Sequence, residues 1–350
     1  MLEHGKFVMG PEVLDLEDRL SARTGASSTI ACASGTDALL LPLLALGVGP
    51  GDAVVVPAFT FAATAEAVAL AGATPVFADC GLADGNLDAG SADDAVEVAR
   101  ALGLRPVGII PVDLYGQPAD YGSLEAVAKP SKLWILADAA QSLGSTDGGR
   151  KVGTFGRVTA TSFFPSKPLG CYGDGGAIFT DDPELAEVLR SLINHGAGTH
   201  RYEHVRVGVN GRLDTLQAAV LLQKLGIFDE ELEARQRVAD GYAERLGGIV
   251  EVPHLRRGVT SAWAQYTVRV ANRDGVAEAM RKHGVPTAVH YPKPLNSQLA
   301  YAKSPMAAGG VPNAIRLAAT VLSLPMHPYL EESTQDRISE ALVESVKALA

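Results

Sequence analysis

The sequence predicts an α/β protein with a large, doubly wound, mostly parallel sheet domain and a smaller α+β C-terminal domain. Short apolar segments alternate with helical ones as far as Asp181, a pattern typical of βαβ units. Beyond Asp181, long helical stretches replace this alternation. The chain has 350 residues, which is more than one small core needs. We therefore expect a large domain at residues 11–227 and a small domain at residues 228–350.

The elements of the large domain can be predicted in order. Pro11 and Gly25 bracket an opening helix, because proline favours the first helical turn and glycine the residue beyond the last. The strands are nearly continuous apolar runs, as expected where helices cover both faces of a sheet. Predicted strands span 28–33, 53–57, 74–79, 107–114, 133–139, 159–164 and 176–181, and predicted helices span 36–47, 62–72, 93–103 and 120–128.

The remainder of the chain is predicted to be mainly helical. Apolar residues at helical spacing predict helices over 183–195, 213–224 and 229–246, and a last helix from Glu331 to the end. Apolar segments at 265–270 and 287–290 are predicted as strands of the small domain.

Composition excludes several classes of function. The formal net charge of −10 argues against nucleic-acid binding, which needs basic residues to neutralise phosphates. Cys32, Cys80 and Cys171 are too far apart to indicate a disulfide framework or a zinc site, so we expect a cytoplasmic protein. No apolar run is long enough to predict a membrane span, and the histidines do not cluster at metal-ligand spacing.

A turn between a predicted strand and a predicted helix carries Ser34, Gly35 and Thr36. Small residues let the backbone approach a ligand, and the N-terminus of the helix offers free N–H groups to a phosphate. Simple N-capping of the helix by Ser34 or Thr36 would explain the same residues.

Two further segments suggest chemistry at the ends of strands. Asp138 ends the strand at 133–139, followed by Gln141, and the carboxyl ends of strands are where α/β sheets bind ligands. Lys167 stands between Pro165 and Pro168, ahead of a glycine-rich loop. A stiff frame around a lysine suits covalent chemistry with a carbonyl group. A structural turn aspartate and a surface lysine are the simpler alternatives.

Two polar groups lie later in the chain. Asn210 could cap the helix that follows it, whereas Arg212 could bind a carboxylate or phosphate with paired N–H groups or form an ordinary salt bridge. His290 and Tyr291, in a loop flanked by Pro292, could hydrogen-bond a polar ligand.

Taken together, these segments resemble the DegT/DnrJ/EryC1/StrS family of sugar aminotransferases. Its landmarks occur in order as SGTDAL, PAFTFAAT, LYGQPAD, DAAQS, SFFPSKPLGCYGDGGA and NGRLDTLQAA, and the match covers nearly the whole chain. The last two landmarks are most similar to the branch that aminates C3 of a UDP-linked 3-keto-glucuronic acid derivative for lipopolysaccharide sugars. Family members usually carry a further N-terminal segment, and where they often have histidine before LYG this chain has Asp113.

The resemblance implies the fold type I architecture of pyridoxal-phosphate (PLP) transferases and a homodimer with shared active sites. By position, Lys167 matches the lysine that carries PLP, and Asp138 matches the carboxylate that pairs with the pyridine nitrogen. These two are the expected catalytic residues. Gln141 matches the partner of the ring hydroxyl, and Phe61 matches the aromatic side chain that stacks on the cofactor.

The resemblance also implies contacts to the cofactor phosphate and to the substrate. Expected phosphate contacts are the Gly35 backbone, Thr36, Ser162 and, from the other subunit, Asn210. Arg212, His290 and Tyr291 match substrate-contacting positions in the UDP-keto-uronate branch.

The expected reaction is a ping-pong transfer of an amino group from glutamate to a nucleotide-linked keto-sugar. An aminotransferase acting on a dTDP-linked 3- or 4-keto-6-deoxy sugar is the main alternative. A PLP-dependent sugar dehydratase is another, although such relatives usually carry histidine where this chain has Lys167. A non-catalytic sensor is disfavoured because Asp138 and Gln141 accompany that lysine.

Overall fold

A seven-stranded sheet forms the centre of the computed structural model, which describes residue 1, residues 3–200 and residues 202–349. Its strands are β1 (Ser28–Cys32), β2 (Asp52–Pro57), β3 (Thr74–Ala78), β4 (Arg105–Ile109), β5 (Trp134–Asp138), β8 (Val158–Ser162) and β9 (Gly176–Thr180). Strands β6 (Thr146–Asp147) and β7 (Arg150–Lys151) form a separate hairpin. Their order in the sheet is β1-β9-β8-β5-β4-β2-β3. Pairing is parallel from β8 to β3, whereas β9 runs antiparallel to both of its neighbours.

Helices cover both faces of this sheet. They are α1 (Pro11–Thr24), α2 (Gly35–Ala45), α3 (Ala63–Leu70), α4 (Ala89–Ala101), α5 (Tyr121–Ala128), α6 (Pro183–Leu192) and α7 (Thr215–Leu225). Aspartate side chains cap several of them, because a carboxylate accepts the free N–H groups of a first turn: Asp88 caps α4, Asp120 caps α5 and Asp182 caps α6. The predicted α/β architecture is confirmed.

The apolar core lies in layers on the two sides of the sheet. Leu41 of α2, Val54 of β2 and Ile178 of β9 belong to one buried cluster, whereas Val55 and Ile135 face a second cluster beneath α4 and α5. Neighbouring β2 residues therefore face opposite layers, which explains why the strand is apolar throughout.

The C-terminal part has its own smaller core. The elements of this C-terminal part are α8 (Phe228–Leu246), β10 (Tyr266–Arg269), α9 (Arg273–Lys282), α10 (Pro312–Thr320), β11 (Val321–Leu324) and α11 (Glu332–Leu349). Tyr242, Val268, Met280 and Leu342 pack together in this core. In contrast, Leu295 and the residues of α10 pack against the core of the large sheet. The domain boundary near residue 227 stays a prediction.

The prediction of a strand at 287–290 is wrong. Only Ala288 makes a bridge, to Ser323, and the strand that pairs with β10 is β11. The segment 286–292 instead forms no ladder, and its Val289 and Tyr291 are only partly buried against the core of the large sheet. Helices α9 and α10, the β6–β7 hairpin and strand β11 were not predicted. Among the described residues, no helix is long and apolar enough to cross a membrane.

Candidate active site

A cavity of about 490 Å³ opens at the carboxyl ends of β5 and β8. Its volume is within the range of roughly 300–1,000 Å³ that is usual for small-molecule sites. Nine of the predicted site residues line it: Gly35, Thr36, Phe61, Asp138, Gln141, Ser162, Lys167, His290 and Tyr291. Asn210 and Arg212 are absent from this lining.

The start of α2 forms one end of the cavity. Ser34 is the N-cap residue, and its Oγ accepts a hydrogen bond from the Asp37 N–H at 3.0 Å. The N–H groups of Gly35 and Thr36 lie in the first turn, where a helix provides no internal acceptor. A Cβ on Gly35 would lie 2.7 Å from the Ser162 Cβ, so only glycine lets the helix start this close to β8. The capping and phosphate-binding interpretations of this turn are therefore compatible.

Asp138 is a buried carboxylate at the end of β5. Thr64 Oγ1 donates to its Oδ2 at 2.8 Å, and the Ala140 N–H donates to its Oδ1 at 3.3 Å. Burial raises the pKa of Asp138, and the nearby charge of Lys167 opposes this effect only partly. A cationic group in the cavity would favour the ionised carboxylate.

Lys167 follows β8 in a tight turn, where its N–H donates to the Phe164 carbonyl at 2.8 Å. Its amine has no hydrogen-bond partner among the residues that the structure describes. Burial lowers the pKa of Lys167, although the charge of Asp138 acts in the opposite direction. The predicted stiff frame thus holds a partly desolvated amine that is free to react.

Gln141 and Tyr291 meet on one wall of the cavity. The Tyr115 N–H donates to Gln141 Oε1 at 2.6 Å, which leaves Gln141 Nε2 to donate to the Tyr291 hydroxyl at 3.2 Å. The Phe61 ring is 58% exposed, and its centroid lies 6.1 Å from that of Tyr291. Phe61 therefore presents an open aromatic face on which a planar group could stack.

His290 lies beside this wall. Its Nδ1 is 2.9 Å from Ser323 Oγ on β11. Burial lowers the pKa of His290, and the charge of Lys167 lowers it further. The imidazole is therefore expected to be neutral at physiological pH.

Arg212 and Asn210 lie outside the cavity in this chain. Arg212 Nη1 donates to Asn194 Oδ1 at 2.7 Å, whereas the buried Arg212 Nε has no partner among the described residues. Asn210 is exposed and bridges to Asn194 through its backbone. Their roles stay predictions, since a single chain does not bring them to the site.

Among the lining residues that sequence reasoning missed, Thr64 and Gln265 have the most informative surroundings. Thr64, in the first turn of α3, donates to the Asp138 carboxylate, and no local pattern signals this long-range contact. Gln265 lines the cavity, and its buried Oε1 has no hydrogen-bond partner in the described part of the chain. Nothing in the sequence around Gln265 signals this position.

The arrangement fits the cofactor that the resemblance implies. A buried carboxylate, an unpartnered amine, an open aromatic face and a helix N-terminus surround one cavity. The carboxylate suits a protonated ring nitrogen, and the amine suits an aldehyde. The aromatic face suits a flat ring, and the helix N-terminus suits a phosphate. Pyridoxal phosphate combines these four features in one molecule.

The comparisons agree with this geometry. The profile of the DegT/DnrJ/EryC1/StrS aminotransferase family matches residues 1–343. One similar curated protein is the UDP-2-acetamido-2-deoxy-3-oxo-D-glucuronate aminotransferase of Pseudomonas aeruginosa. It is 49% identical over 343 residues, which cover 98% of this chain and 93% of that protein.

Two solved structures are similar over almost the whole chain. A DegT DnrJ EryC1 StrS aminotransferase from Brucella abortus has a TM-score of 0.96 and 49% identity, covering 97% of this chain and 92% of that one. The PLP form of a putative sugar aminotransferase from Streptococcus pneumoniae has a TM-score of 0.91 and 27% identity, covering 100% of this chain and 94% of that one.

Proposed function

Because the chain belongs to the DegT/DnrJ/EryC1/StrS aminotransferase family, we propose that it moves an amino group from glutamate to C3 of a UDP-linked 3-keto-glucuronic acid derivative. It is a PLP-dependent nucleotide-sugar aminotransferase. The observation that carries the proposal is the cavity that joins Lys167, Asp138 and Gln141. We infer the uronate substrate from the name of the similar protein from Pseudomonas aeruginosa. We further propose that the product serves lipopolysaccharide sugar synthesis.

Bound PLP would supply an electron sink for the carbon that loses a proton. Asp138 would keep the proton on the pyridine nitrogen, because an adjacent negative charge favours the protonated ring. Lys167 would hold the cofactor and then move a proton, a role for which burial already lowers the pKa of its amine. General acid–base transfer of this kind contributes about 10²–10⁴-fold to a rate.

A homodimer with shared sites is part of the proposal. Phe7, Val8 and Met9 are about half exposed beside the start of α7, where the Thr215 N–H donates to the Phe7 carbonyl at 3.1 Å. Leu216 extends this apolar surface, which we call the α7 face. Asn210 lies just before it in the chain, so a second copy on the α7 face could bring Asn210 of the partner subunit to the cofactor phosphate.

The test is a pair of half-reactions followed by absorbance. Purified protein loaded with PLP is titrated with glutamate, which should convert it to the amino form with loss of the long-wavelength band. The amino form is then mixed with UDP- or dTDP-linked keto-sugars. Recovery of the band with the UDP-linked 3-keto-uronate supports the proposal, whereas recovery only with a dTDP-linked keto-6-deoxy sugar supports the runner-up function.

Lys167→Ala provides the control for this assay. It should abolish both the long-wavelength band and turnover, because the amine that holds the cofactor is lost. The matched variant Lys303→Ala changes a lysine outside the cavity lining and should behave as wild type. A Lys167→Ala protein that kept band and turnover would contradict the assignment of the lysine.

Arg212→Lys tests the carboxylate of the substrate. Arginine binds a carboxylate through two parallel N–H bonds, which lysine cannot reproduce. We expect kcat/KM for the uronate to fall by about tenfold or more, with a smaller loss for a neutral keto-sugar. Equal losses for both sugars would contradict a carboxylate-binding role.

A further inference from the structure

The His290–Tyr291 pair is held from behind the cavity wall by residues that do not touch the cavity. Tyr115, Thr267 and Ser323 are absent from the cavity lining. Each nevertheless belongs to a hydrogen-bonded set that ends on His290 or Tyr291. The shape of this wall therefore depends on residues behind it. Tyr115 lies in the LYGQPAD landmark, whereas Thr267 and Ser323 lie in none of the landmark segments.

Tyr115 reaches both members of the pair. Its hydroxyl donates to the His290 carbonyl, and its N–H donates to Gln141 Oε1, so that Gln141 Nε2 is directed to the Tyr291 hydroxyl. Burial raises the pKa of the Tyr115 phenol well above its ordinary value, so the hydroxyl remains a proton donor.

The backbone of Tyr115 is also fixed in an unusual conformation. Its φ is +61°, in the left-handed region that residues other than glycine occupy at a cost. Its carbonyl accepts a hydrogen bond from the Ala264 N–H at 3.0 Å, just before β10. Such a conformation persists when surrounding contacts determine it, and it often accompanies a functional constraint.

Ser323 holds the ring of His290. Ser323 of β11 pairs with Thr267 of β10, and their hydroxyl oxygens lie 2.8 Å apart. Ser323 Oγ also lies 2.9 Å from His290 Nδ1, so this ring nitrogen is engaged and Nε2 is left for a ligand. A hydroxyl can accept a hydrogen bond from Nδ1–H or donate one to Nδ1, so this contact fixes the orientation of the imidazole ring rather than its tautomer.

We propose that Tyr115 and Ser323 are positioning residues for the acceptor sugar, acting through His290 and Tyr291. The Tyr115 hydroxyl fixes the His290 carbonyl, and its N–H orients Gln141 toward the Tyr291 hydroxyl. Ser323 fixes the orientation of the His290 imidazole. A keto-sugar has several hydroxyl groups that must be aligned before its ketone can react, so fixed hydrogen-bonding groups favour its productive pose. The inference rests on the proposed substrate contacts of His290 and Tyr291.

The two half-reactions test this role kinetically. Tyr115→Phe and Ser323→Ala should each raise KM for the keto-sugar by about five- to tenfold, the loss expected for one hydrogen bond. The rate and KM for glutamate should stay near the wild-type values. An unchanged KM for the keto-sugar in both variants would overturn the inference.

Matched controls separate positioning from general stability. Tyr242→Phe removes a hydroxyl that donates to the Pro325 carbonyl at 2.9 Å, and Ser345→Ala removes one that donates to the Ala341 carbonyl at 2.7 Å. Both residues belong to the small C-terminal part; the Tyr242 hydrogen bond is part-buried, like those of Tyr115 and Ser323 to His290, and the Ser345 hydrogen bond is buried. Equal effects on KM in the controls and in the test variants would overturn a specific role.

His290→Ala distinguishes failure of the inference from failure of the proposed function. If His290→Ala leaves the keto-sugar half-reaction unchanged, the proposed substrate contact is wrong and the inference falls with it. If His290→Ala impairs that half-reaction while Tyr115→Phe and Ser323→Ala do not, only the inference is wrong.

A spectroscopic measurement tests Ser323 without any ligand. Long-range proton–nitrogen correlation spectra report the hydrogen bonding of each histidine ring nitrogen, and a His290→Asn spectrum identifies the signals of His290. We expect the Nδ1 signal of His290 to shift in Ser323→Ala, because that nitrogen loses its partner. An unchanged Nδ1 signal in Ser323→Ala would overturn its part in the inference.

Discussion

The carboxylate of Asp113 is fully buried next to the loop that carries Gln141. It accepts hydrogen bonds from the Ala119 N–H at 2.8 Å and from the hydroxyls of Tyr121 at 2.7 Å and Ser142 at 2.6 Å. The Asp113 N–H donates to the Asp138 carbonyl at 3.0 Å. Asp113 thus joins the ends of β4 and β5 rather than contacting the cavity, which is a structural role for a residue that departs from the family pattern.

The burial of the Asp113 carboxyl group predicts that the stability of the protein depends on pH. Burial raises its pKa from 3.8 to about 7. The folded protein therefore holds this proton more tightly than the unfolded chain does. Its contribution to the free energy of unfolding is complete below about pH 4 and is lost as the pH rises to about 7.

Asp113→Asn removes this titration. Relative to the wild type, the variant should gain about 3–4 kcal/mol in free energy of unfolding between pH 4 and pH 7, and little beyond, because one unit of pKa shift corresponds to about 1.4 kcal/mol. Thermal unfolding across this range is the measurement, and Asp93→Asn, which changes an exposed carboxylate, is the control. Parallel stability curves for wild type and Asp113→Asn would show that Asp113 stays ionised.

The sequence predicted some site residues for local reasons and could not predict others. Lys167 lies between two prolines, and Asp138 ends an apolar strand, so their neighbours in the chain indicate their roles. In contrast, the roles of Tyr115 and Ser323 depend on a partner, His290, that is distant from both in the sequence. No pattern within a single segment contains that information, because only the folded chain brings the segment after β4, residues 286–292 and β11 together.

Among the elements, α2 depends most on a single residue. Its first turn approaches β8 so closely that a Cβ at Gly35 would lie 2.7 Å from the Ser162 Cβ and 2.9 Å from its Oγ. Contacts shorter than 3 Å force the backbone or the neighbouring side chain to move, and the neighbour here belongs to the central sheet.

Gly35→Ala should therefore damage both stability and cofactor binding. We expect a loss of about 1–3 kcal/mol in the free energy of unfolding without cofactor, and weaker binding of PLP in an absorbance titration. Gly122→Ala is the matched control, because its Cβ in the first turn of α5 meets only Asp120 Oδ1, at 3.6 Å. Unchanged PLP affinity in Gly35→Ala would contradict a phosphate site at α2.

Strand β11 was not predicted because no turn residue marks where it begins. β11 begins at Val321 directly after α10 ends at Thr320, with no glycine or proline to separate a helical from an extended pattern. In contrast, α1 and α2 are followed by Gly25 and Gly47, and both were predicted. Boundaries without turn residues are decided by tertiary packing, here the pairing of β11 with β10.

At the scale of the whole molecule, the α7 face carries the proposed dimer. Leu216 is 54% exposed there, next to the equally exposed segment from Phe7 to Met9. Leu216→Glu should shift the protein to a monomer in sedimentation analysis, because a buried unpaired charge opposes association. It should also weaken PLP binding, since Asn210 of the partner subunit would be withdrawn from the phosphate.

Leu102→Glu provides the control for the dimer. Leu102 is 59% exposed at the end of α4, away from the α7 face, so its substitution should leave both association and PLP affinity unchanged. If Leu216→Glu forms dimers that dissociate no more readily than those of the wild type, the α7 face is excluded as the interface. A monomer that binds PLP as tightly as the wild type would exclude a shared phosphate site.

The position of β9 between β1 and β8 has a consequence for synthesis on the ribosome. β1 emerges early, but its partner in the sheet is β9, which ends at Thr180. α1 likewise packs on α7, whose last residue is Leu225. The nascent chain must therefore keep the sheet edge of β1 unpaired until just over half of the protein has left the exit tunnel, and the side of α1 that meets α7 uncovered for longer still. The Ser34–Thr36 turn, which follows β1, becomes a finished part of the site only at that late stage.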